Sequence, residues 1–97
     1  MKVTLTIHEG RQRTVAVDSP EFLIGRASDC HLQLDSPLIS RHHCALTVQD
    51  GRMYVRDLKS SNGTGLNNQP VVGERPLHND DELWVAATPI KVRIQMR

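Results

Sequence analysis

The sequence predicts an all-β fold, a sandwich of two twisted sheets built from short strands. Apolar and polar residues alternate over short runs, which is the pattern of a strand with one buried face. Val, Ile and Thr supply 20 of the 97 residues, and β-branched side chains favour strands. Turn-forming residues separate the runs at intervals of about ten residues, a spacing typical of sandwiches. No apolar stripe with helical spacing persists.

The predicted strands follow one another along the whole chain. In the first, Val3, Leu5 and Ile7 share one face, and two threonines lie on the other. Each later run repeats this alternation, so each is predicted to bury one face against the core. The later runs carry their apolar residues at Val15 and Val17, at Leu32 and Leu34, at Cys44, Leu46 and Val48, at Met53 and Val55, and at Ile90, Val92 and Ile94.

The segments between the runs contain residues that reverse the chain. Gly and Asn accept positive φ, and Asp and Ser side chains bond to nearby backbone groups. The prolines lie at the edges of the runs, where a missing amide hydrogen does least harm. The candidate turns are Glu9-Gly10, Asp18-Ser19-Pro20, Asp35-Ser36-Pro37, Asp50-Gly51, Asn62-Gly63, Asn67-Asn68 and Asn79-Asp80.

Length and composition limit the class of protein. A chain of 97 residues predicts a single domain over residues 1–97, since domains usually hold about 50 to 250 residues. Hydrophobic residues make up 38% and charged residues 24%, so the chain is expected to fold around a core. Phe22, Tyr54 and Trp84 are the only aromatic residues, so this core is expected to be aliphatic, and a large catalytic cavity is not expected.

Charge and cysteine content limit the partners and the compartment. The net charge of +1 offers no basic face of the kind that nucleic-acid binding needs. No run approaches the roughly 20 apolar residues of a membrane span, and the first ten residues alternate in polarity. A soluble, cytoplasmic chain is therefore expected. Cys30 and Cys44 are the only cysteines, and they are expected to be reduced thiols.

Three predicted loops carry the groups from which a phosphate receptor is built. A phosphate dianion prefers a planar guanidinium fork, hydroxyl donors and backbone N–H groups in rigid positions. The loops together supply two arginines, several hydroxyls and an asparagine side chain. They are the segments 25–28, 36–43 and 59–64.

The order and spacing of the loop motifs resemble those of the forkhead-associated (FHA) domain family. Gly-Arg at 25–26, Ser-x-x-His at 40–43 and Ser-Ser-Asn-Gly-Thr at 60–64 follow one another as that family's motifs do. The resemblance runs from about residue 3 to about residue 94. It implies a β-sandwich of about eleven strands, with loops at one end that bind phosphothreonine peptides in signalling.

The resemblance also implies a role for individual loop residues. By position, Arg26 would pair with the phosphate, and Ser40 would donate its hydroxyl to the same group. Arg41 would add a further phosphate contact. Ser61 would touch the phosphothreonine, and Asn62 would hydrogen-bond the peptide backbone beside it. The partner implied is a threonine-phosphorylated protein or peptide with an upstream Ser/Thr kinase, and neither catalysis nor a cofactor is implied.

Other positions match residues that support the loops or select the peptide. Gly25, His43, Gly63 and Thr64 match supporting residues that do not touch the ligand. Leu38 lies at a position whose residue differs among family members that prefer different peptides, usually at the third residue after the phosphothreonine. As an apolar side chain, Leu38 favours an apolar peptide residue at that third position. A buried loop leucine is the alternative interpretation of Leu38.

Four departures from the family pattern leave the phosphate contacts intact. Asp80-Asp81 replaces a late Gly-Asp, and Asn68 replaces a usual glycine. Gly65 follows the Asn-Gly-Thr motif where the family often has an aromatic residue. Ala86 or Ala87 stands where the family has a glycine in a late turn. These differences affect the strand that begins near the motif and the shape of the late turn.

Three other functions compete with phosphopeptide binding. An enzyme using Ser40 with His42 or His43 would need a nucleophile, base and acid converging from different elements, which sequence neighbours do not easily supply. A metal site could draw on His42, His43, Cys44, Cys30 or His31, but none is expected. Adjacent strand residues face opposite sides, so His42, His43 and Cys44 cannot all ligate one ion. A phosphate-independent assembly module on the same fold stays open, and competition by free phosphothreonine peptide would distinguish it.

Overall fold

Eleven strands make up the regular structure of residues 1–96, the part of the chain that the structure, a computed structural model, describes. No helix in this part could cross a membrane. The predicted domain of residues 1–97 also contains Arg97, which lies outside the described residues. The strands are β1 (Lys2–Glu9), β2 (Arg11–Val17), β3 (Glu21–Gly25), β4 (Leu32–Gln33), β5 (Cys44–Gln49), β6 (Arg52–Asp57), β7 (Thr64–Leu66), β8 (Gln69–Pro70), β9 (Glu74–Leu77), β10 (Glu82–Val85) and β11 (Thr88–Gln95).

The strands form two sheets, which confirms the predicted all-β sandwich. The first sheet has six strands in the order β2-β1-β11-β10-β7-β8, and the second has five in the order β4-β3-β5-β6-β9. Neighbouring strands are antiparallel except for β3 and β4. Pro76 lies in β9, an edge strand, where its missing N–H costs no ladder hydrogen bond.

Aliphatic side chains from the inner faces of both sheets fill the core. Leu5 of β1 lies opposite Val92 of β11, and Leu46 of β5 lies opposite Val55 of β6. All four are completely buried. Phe22 is the only aromatic residue in the core of the described chain. The core is therefore aliphatic, as predicted, and its burial supplies the main driving force for folding.

The register of the second sheet brings three loops to one end of the sandwich. Ile24 in β3 pairs with Cys44 at the start of β5, and Cys44 pairs with Asp57 at the end of β6. Because these strands are antiparallel, the chain leaves β3, enters β5 and leaves β6 at the same edge of the sheet. We call this edge the loop end; its loops are residues 26–31, 34–43 and 58–63. The opposite edge, the turn end, has connections at 18–20, 50–51, 67–68 and 78–81.

The predicted turns lie at or between strand ends, but turn chemistry did not identify the connection 71–73, which contains Gly73 with φ of 73°. A further turn was indicated only by the family resemblance. It joins β10 to β11 and contains Ala86 with φ of 53°. A left-handed conformation costs a residue with a Cβ about 1–2 kcal/mol, and alanine is not a turn-forming residue. The Ala86 amide donates to the Gly63 carbonyl at 3.1 Å. This tertiary contact helps to hold the strained turn.

Candidate functional site

The first two loops meet through their backbones, and Gly25 makes this close approach possible. The Arg26 amide donates to the Ser40 carbonyl, and the Ala27 amide donates to the Arg41 carbonyl, both at 3.0 Å. A Cβ on Gly25 would stand 2.2 Å from the Arg41 carbonyl oxygen, far inside any van der Waals contact. Residue 25 must therefore be glycine for the loops to meet as they do.

The Arg26 side chain is anchored at one edge and unpaired at the other. Its Nε donates to the Ile39 carbonyl at 3.0 Å. Within residues 1–96, its two Nη atoms have no hydrogen-bond or ion-pair partner, and the residue is exposed. The guanidinium is thus held in place with free donors, as a receptor for an oxyanion requires.

Ser40 joins the second loop to the third. Its Oγ accepts a hydrogen bond from the Ser61 amide at 3.0 Å. A serine hydroxyl has one proton to donate as well as lone pairs to accept, and this proton has no acceptor among the described residues. The half-buried Ser40 therefore sits beside Arg26 with a hydroxyl donor available.

The buried His43 side chain makes hydrogen bonds to the second and the third loop. It is completely buried, and its Nδ1 accepts from the Ser40 amide at 3.1 Å. A ring nitrogen that accepts from an amide carries no proton, so Nε2 holds the proton of the neutral ring. Nε2 donates to the Gly63 carbonyl at 2.8 Å. One neutral imidazole thus fixes the distance between Ser40 and the Gly63 turn.

The Asn62 side chain makes another hydrogen bond between the second and third loops. Its Nδ2 donates to the Leu38 carbonyl at 2.6 Å. Its amide oxygen has no donor within the described part of the chain, so it can accept from a ligand. Leu38 is 50% exposed, so the alternative of a buried loop leucine is wrong.

Asp57 and Ser60 brace the third loop, and neither was a predicted site residue. Asp57 Oδ1 accepts from Ser60 Oγ at 2.6 Å and from Thr64 Oγ1 at 2.7 Å, and Oδ2 accepts from the Ser60 amide at 3.1 Å. Burial raises the pKa of Asp57, but the hydrogen bonds from Ser60 and Thr64 lower it by more, so that its pKa lies below the ordinary value. The Asp-x-x-Ser spacing is the only sequence signal that could have indicated this brace.

Arg41 joins the cluster through its backbone. Its carbonyl oxygen accepts from Ala27, as above, and from Cys30 Sγ at 3.2 Å. Its guanidinium is exposed and has no ion-pair or hydrogen-bond partner in residues 1–96. The structure thus brings Arg26, Ser40 and their loop neighbours into one network, and it leaves the Arg41 side chain outside that network.

Gly65 leaves a depression next to the loop end. It pairs with Trp84 across β7 and β10, and a Cβ at residue 65 would make ordinary contact with the Trp84 Cβ at 3.5 Å. Without an aromatic side chain there, an open depression of about 330 Å³ lies between Trp84, Pro70 and Asn62. The departure at residue 65 therefore changes the surface beside the site and not the network itself.

A family model described as FHA domain matches residues 22–86, about two thirds of the chain. The match includes all three loops. Among known proteins, the chain is similar to FHA domain-containing protein FhaA of Mycobacterium tuberculosis, with 33% identity over 92 residues, or 95% of this chain and 17% of FhaA. It is also 35% identical over 69 residues to glycogen accumulation regulator GarA of Mycolicibacterium smegmatis, which is 71% of this chain and 43% of GarA. The chain thus spans less than half the length of these relatives.

Solved structures show the same fold. One, described as a structural and functional analysis of phosphothreonine-dependent FHA domain interactions, has a TM-score of 0.92 and 31% identity, and the match covers all of both chains. The crystal structure of the FhaA FHA domain complexed with the intracellular domain of Rv3910 has a TM-score of 0.86 and 33% identity. That match covers 94% of this chain and 99% of the other.

Proposed function

The chain belongs to the FHA domain family, and we propose that its loop end binds phosphothreonine peptides and so joins proteins in signalling after a partner is phosphorylated. One observation carries the proposal: hydrogen bonds among three loops hold Arg26 and Ser40 side by side, and each keeps unused donors. The 31% identity to a chain studied for phosphothreonine-dependent interactions supports it.

In the bound complex, the phosphate takes its hydrogen bonds from two directions. The Nη atoms of Arg26 pair with phosphate oxygens, and the Ser40 hydroxyl donates to another oxygen. Charge-assisted bonds of this kind are about twice as strong as neutral ones. The exposed Arg41 and Ser61 add contacts from the loops on either side, and Arg41 attracts the dianion whether or not it touches it.

The amide of Asn62 recognises the peptide backbone beside the phosphothreonine. Its Nδ2 is already held by the Leu38 carbonyl, so its oxygen is fixed as an acceptor for a peptide N–H. The half-exposed Leu38 favours an apolar residue at the third position after the phosphothreonine.

Supporting residues reduce the cost of binding. Gly25, His43, Gly63 and Thr64 hold the loops through the contacts described above, and the receptor is therefore assembled before the ligand arrives. A preassembled site loses less conformational entropy on binding than a mobile loop does. The affinity of the loop end then depends mainly on the charge and shape of the ligand.

The threonine methyl group gives an additional preference over phosphoserine. Burying one methyl group is worth about 0.8 kcal/mol, roughly a four-fold difference in affinity. A larger discrimination requires that the methyl group also orient the phosphate. The preference for phosphothreonine is thus a measurable property of the pocket.

The wider role is that of a non-catalytic adaptor without a cofactor, acting in the cytoplasm downstream of a Ser/Thr kinase. The relatives are longer than this chain, so an effector function in such proteins belongs to another region or another molecule. Nucleic acid is not among the proposed partners, because the net charge is only +1.

The test is a titration with one peptide in three forms, carrying threonine, phosphothreonine or phosphoserine. The proposal expects binding of the phosphothreonine form, weaker binding of the phosphoserine form and none of the unmodified form. A second arm offers a protein partner together with free phosphothreonine peptide. A partner that binds unphosphorylated and is not displaced by the peptide would support the phosphate-independent assembly module instead.

A further inference from the structure

Three metal-ligating side chains from two loops meet within the loop end and take no part in the proposed phosphate site. His42 Nε2 lies 2.9 and 3.1 Å from the two carboxylate oxygens of Asp29. One ligand atom from each of Asp29, Cys30 and His42 lies within 4.8 Å of the other two. Asp29 and His42 are exposed, and Cys30 is partly buried.

We propose that Asp29, Cys30 and His42 form a binding site for a borderline-soft divalent cation, with Zn²⁺ as the best match. Nitrogen, sulfur and oxygen donors in one cluster suit Zn²⁺, whereas Ca²⁺ and Mg²⁺ prefer oxygen alone. Three protein ligands leave the fourth tetrahedral position to a water molecule. This site goes beyond phosphopeptide binding and does not depend on it.

The fold holds the three ligands together through backbone contacts that exist without a metal. The Cys30 amide donates to the Ala27 carbonyl at 3.2 Å, and the Ala27 amide donates to the Arg41 carbonyl at 3.0 Å. These bonds connect the segment of Asp29 and Cys30 to the segment of His42. With metal–ligand distances of about 2.0–2.3 Å, ligand atoms of a tetrahedral Zn²⁺ lie roughly 3.5 Å apart, so small side-chain rotations close the site.

Binding replaces two existing contacts and releases one proton. The Cys30 thiol donates to the Arg41 carbonyl at 3.2 Å; on binding, the S–H bond breaks, the sulfur keeps the electron pair as a thiolate and the proton goes to solvent. The Arg41 carbonyl keeps its bond from the Ala27 amide, so it is not left unsatisfied. The Asp29 carboxylate and the His42 ring exchange their mutual contact for the cation, to which the ring binds as a neutral imidazole.

The proton release is expected at neutral pH. An ordinary thiol is mostly protonated at neutral pH, so the free protein carries the proton that the metal displaces. Cys44 does not compete, because it is completely buried. A thiolate signal on metal binding therefore reports on Cys30.

The experiment titrates the protein with Zn²⁺ by calorimetry and with Co²⁺ by absorption spectroscopy. The parent should bind one equivalent, show a thiolate-to-cobalt charge-transfer band and release about one proton per ion. Cys30→Ser keeps a hydroxyl donor for the Arg41 carbonyl but is a poor soft ligand, and His42→Ala changes an exposed side chain. Each should weaken binding at least about tenfold, and Cys30→Ser should abolish the band.

Two control variants locate the site. His78→Ala removes another exposed histidine, which lies 3.9 Å from Asp81 without a cysteine nearby, and it should bind Zn²⁺ as the parent does. Arg26→Ala, which removes the proposed phosphate ligand, should also keep full metal binding. Parent binding no tighter than that of Cys30→Ser, or a parent titration without the charge-transfer band, would overturn the proposal.

Discussion

The loop end and the turn end of the sandwich use the same kind of hydrogen bond for different purposes. At the turn end, Asp81 accepts from the His78 amide at 2.7 Å and from Asn67 Nδ2 at 2.9 Å, and Asn67 Oδ1 accepts from the Glu82 amide at 2.9 Å. Both side chains shape and close turns, through bonds at each of their polar ends. At the loop end, Arg26 and Ser40 are held by similar bonds but keep donors that nothing in residues 1–96 accepts.

This difference separates residues that shape the protein from residues that are available to a ligand. A polar side chain with all its groups paired contributes stability, and its loss should change folding. A side chain that is held but partly unpaired can bind an anion without rearranging, and its loss should change affinity. Variants at the two ends should therefore differ in whether they change the free energy of unfolding or the affinity for phosphopeptide.

The largest expected effect is on the free energy of unfolding and comes from Gly25→Ala. The new Cβ would stand 2.2 Å from a backbone oxygen, so the two loops must separate, at a cost of about 3 kcal/mol or more. The matched change at the turn end is Gly51→Ala, where a Cβ meets nothing within 4 Å and only the φ of +75° is unfavourable. It should cost about 1–2 kcal/mol. Chemical denaturation of both variants measures the difference, and equal losses would contradict it.

Asp57→Asn should lower the free energy of unfolding by about 2 kcal/mol at pH 7, because a carboxylate that accepts three hydrogen bonds is replaced by an amide with a single acceptor oxygen. The pKa of Asp57 is lowered in the folded state. The folded protein therefore binds a proton at Asp57 less readily than the unfolded chain does. The stabilisation by the carboxylate is present above pH 3.8, the ordinary carboxyl pKa, and is lost as the pH falls through the folded pKa.

Denaturation at several pH values checks this prediction. The parent should lose more stability than Asp57→Asn as the pH falls below about 4. Asp18→Asn at the turn end is the control, because Asp18 is exposed and has no hydrogen-bond partner in the described chain. Parallel pH profiles for the parent and Asp57→Asn would show that the carboxylate does not brace the loop.

Alanine substitutions of Asn62 and Asn67 should separate an effect on peptide affinity from an effect on the free energy of unfolding. Each should change its own free energy by about 1–2 kcal/mol. Asn62→Ala should weaken phosphopeptide binding and change the free energy of unfolding less. Asn67→Ala should do the reverse, because Asn67 closes a turn with φ of 49°. Peptide titration gives the change in binding free energy of each variant, and chemical denaturation gives the change in its free energy of unfolding. The comparison fails if the two variants lose affinity equally.

The smallest expected effect is a gain in stability of about 1 kcal/mol from Ala86→Gly. Ala86 has φ of 53°, a conformation that glycine adopts without steric cost. The amide bond to the Gly63 carbonyl is a backbone contact and is kept. A rise in the thermal midpoint measures the gain, and an unchanged or lower midpoint would show that the turn is not strained.

Alternation predicted six of the eleven strands, and it did not identify β3 or the strands β7 to β10. Alternation identified the buried faces of the strands that contain Leu5, Leu46 and Val92, because a period of two follows directly from strand geometry. Turn chemistry identified connections such as Asp50-Gly51 and Asn67-Asn68, but not the connection that contains Gly73. The candidate phosphate contacts came from the resemblance to a family and not from spacing alone.

The cross-loop contacts could not be predicted, because they depend on strand register. The bond from the Ser61 amide to Ser40 joins residues 21 apart in sequence, and the bond from His43 to Gly63 joins residues 20 apart. Neither separation has a sequence signature. Turn chemistry missed the turn at Ala86, which only the family resemblance indicated, for a related reason, since a tertiary bond and not local propensity holds it.

The most direct test of the central claim is a phosphothreonine-peptide titration of Arg26→Ala beside Arg52→Ala. Both arginines are exposed, but Arg52 begins β6 at the turn end. Arg26→Ala should lose about 2 kcal/mol or more of binding free energy, roughly 30-fold in affinity, because a charge-assisted contact to a dianion is removed. Arg52→Ala should bind as the parent does. Equal affinities for Arg26→Ala and the parent would contradict the assignment of the loop end as a phosphate receptor.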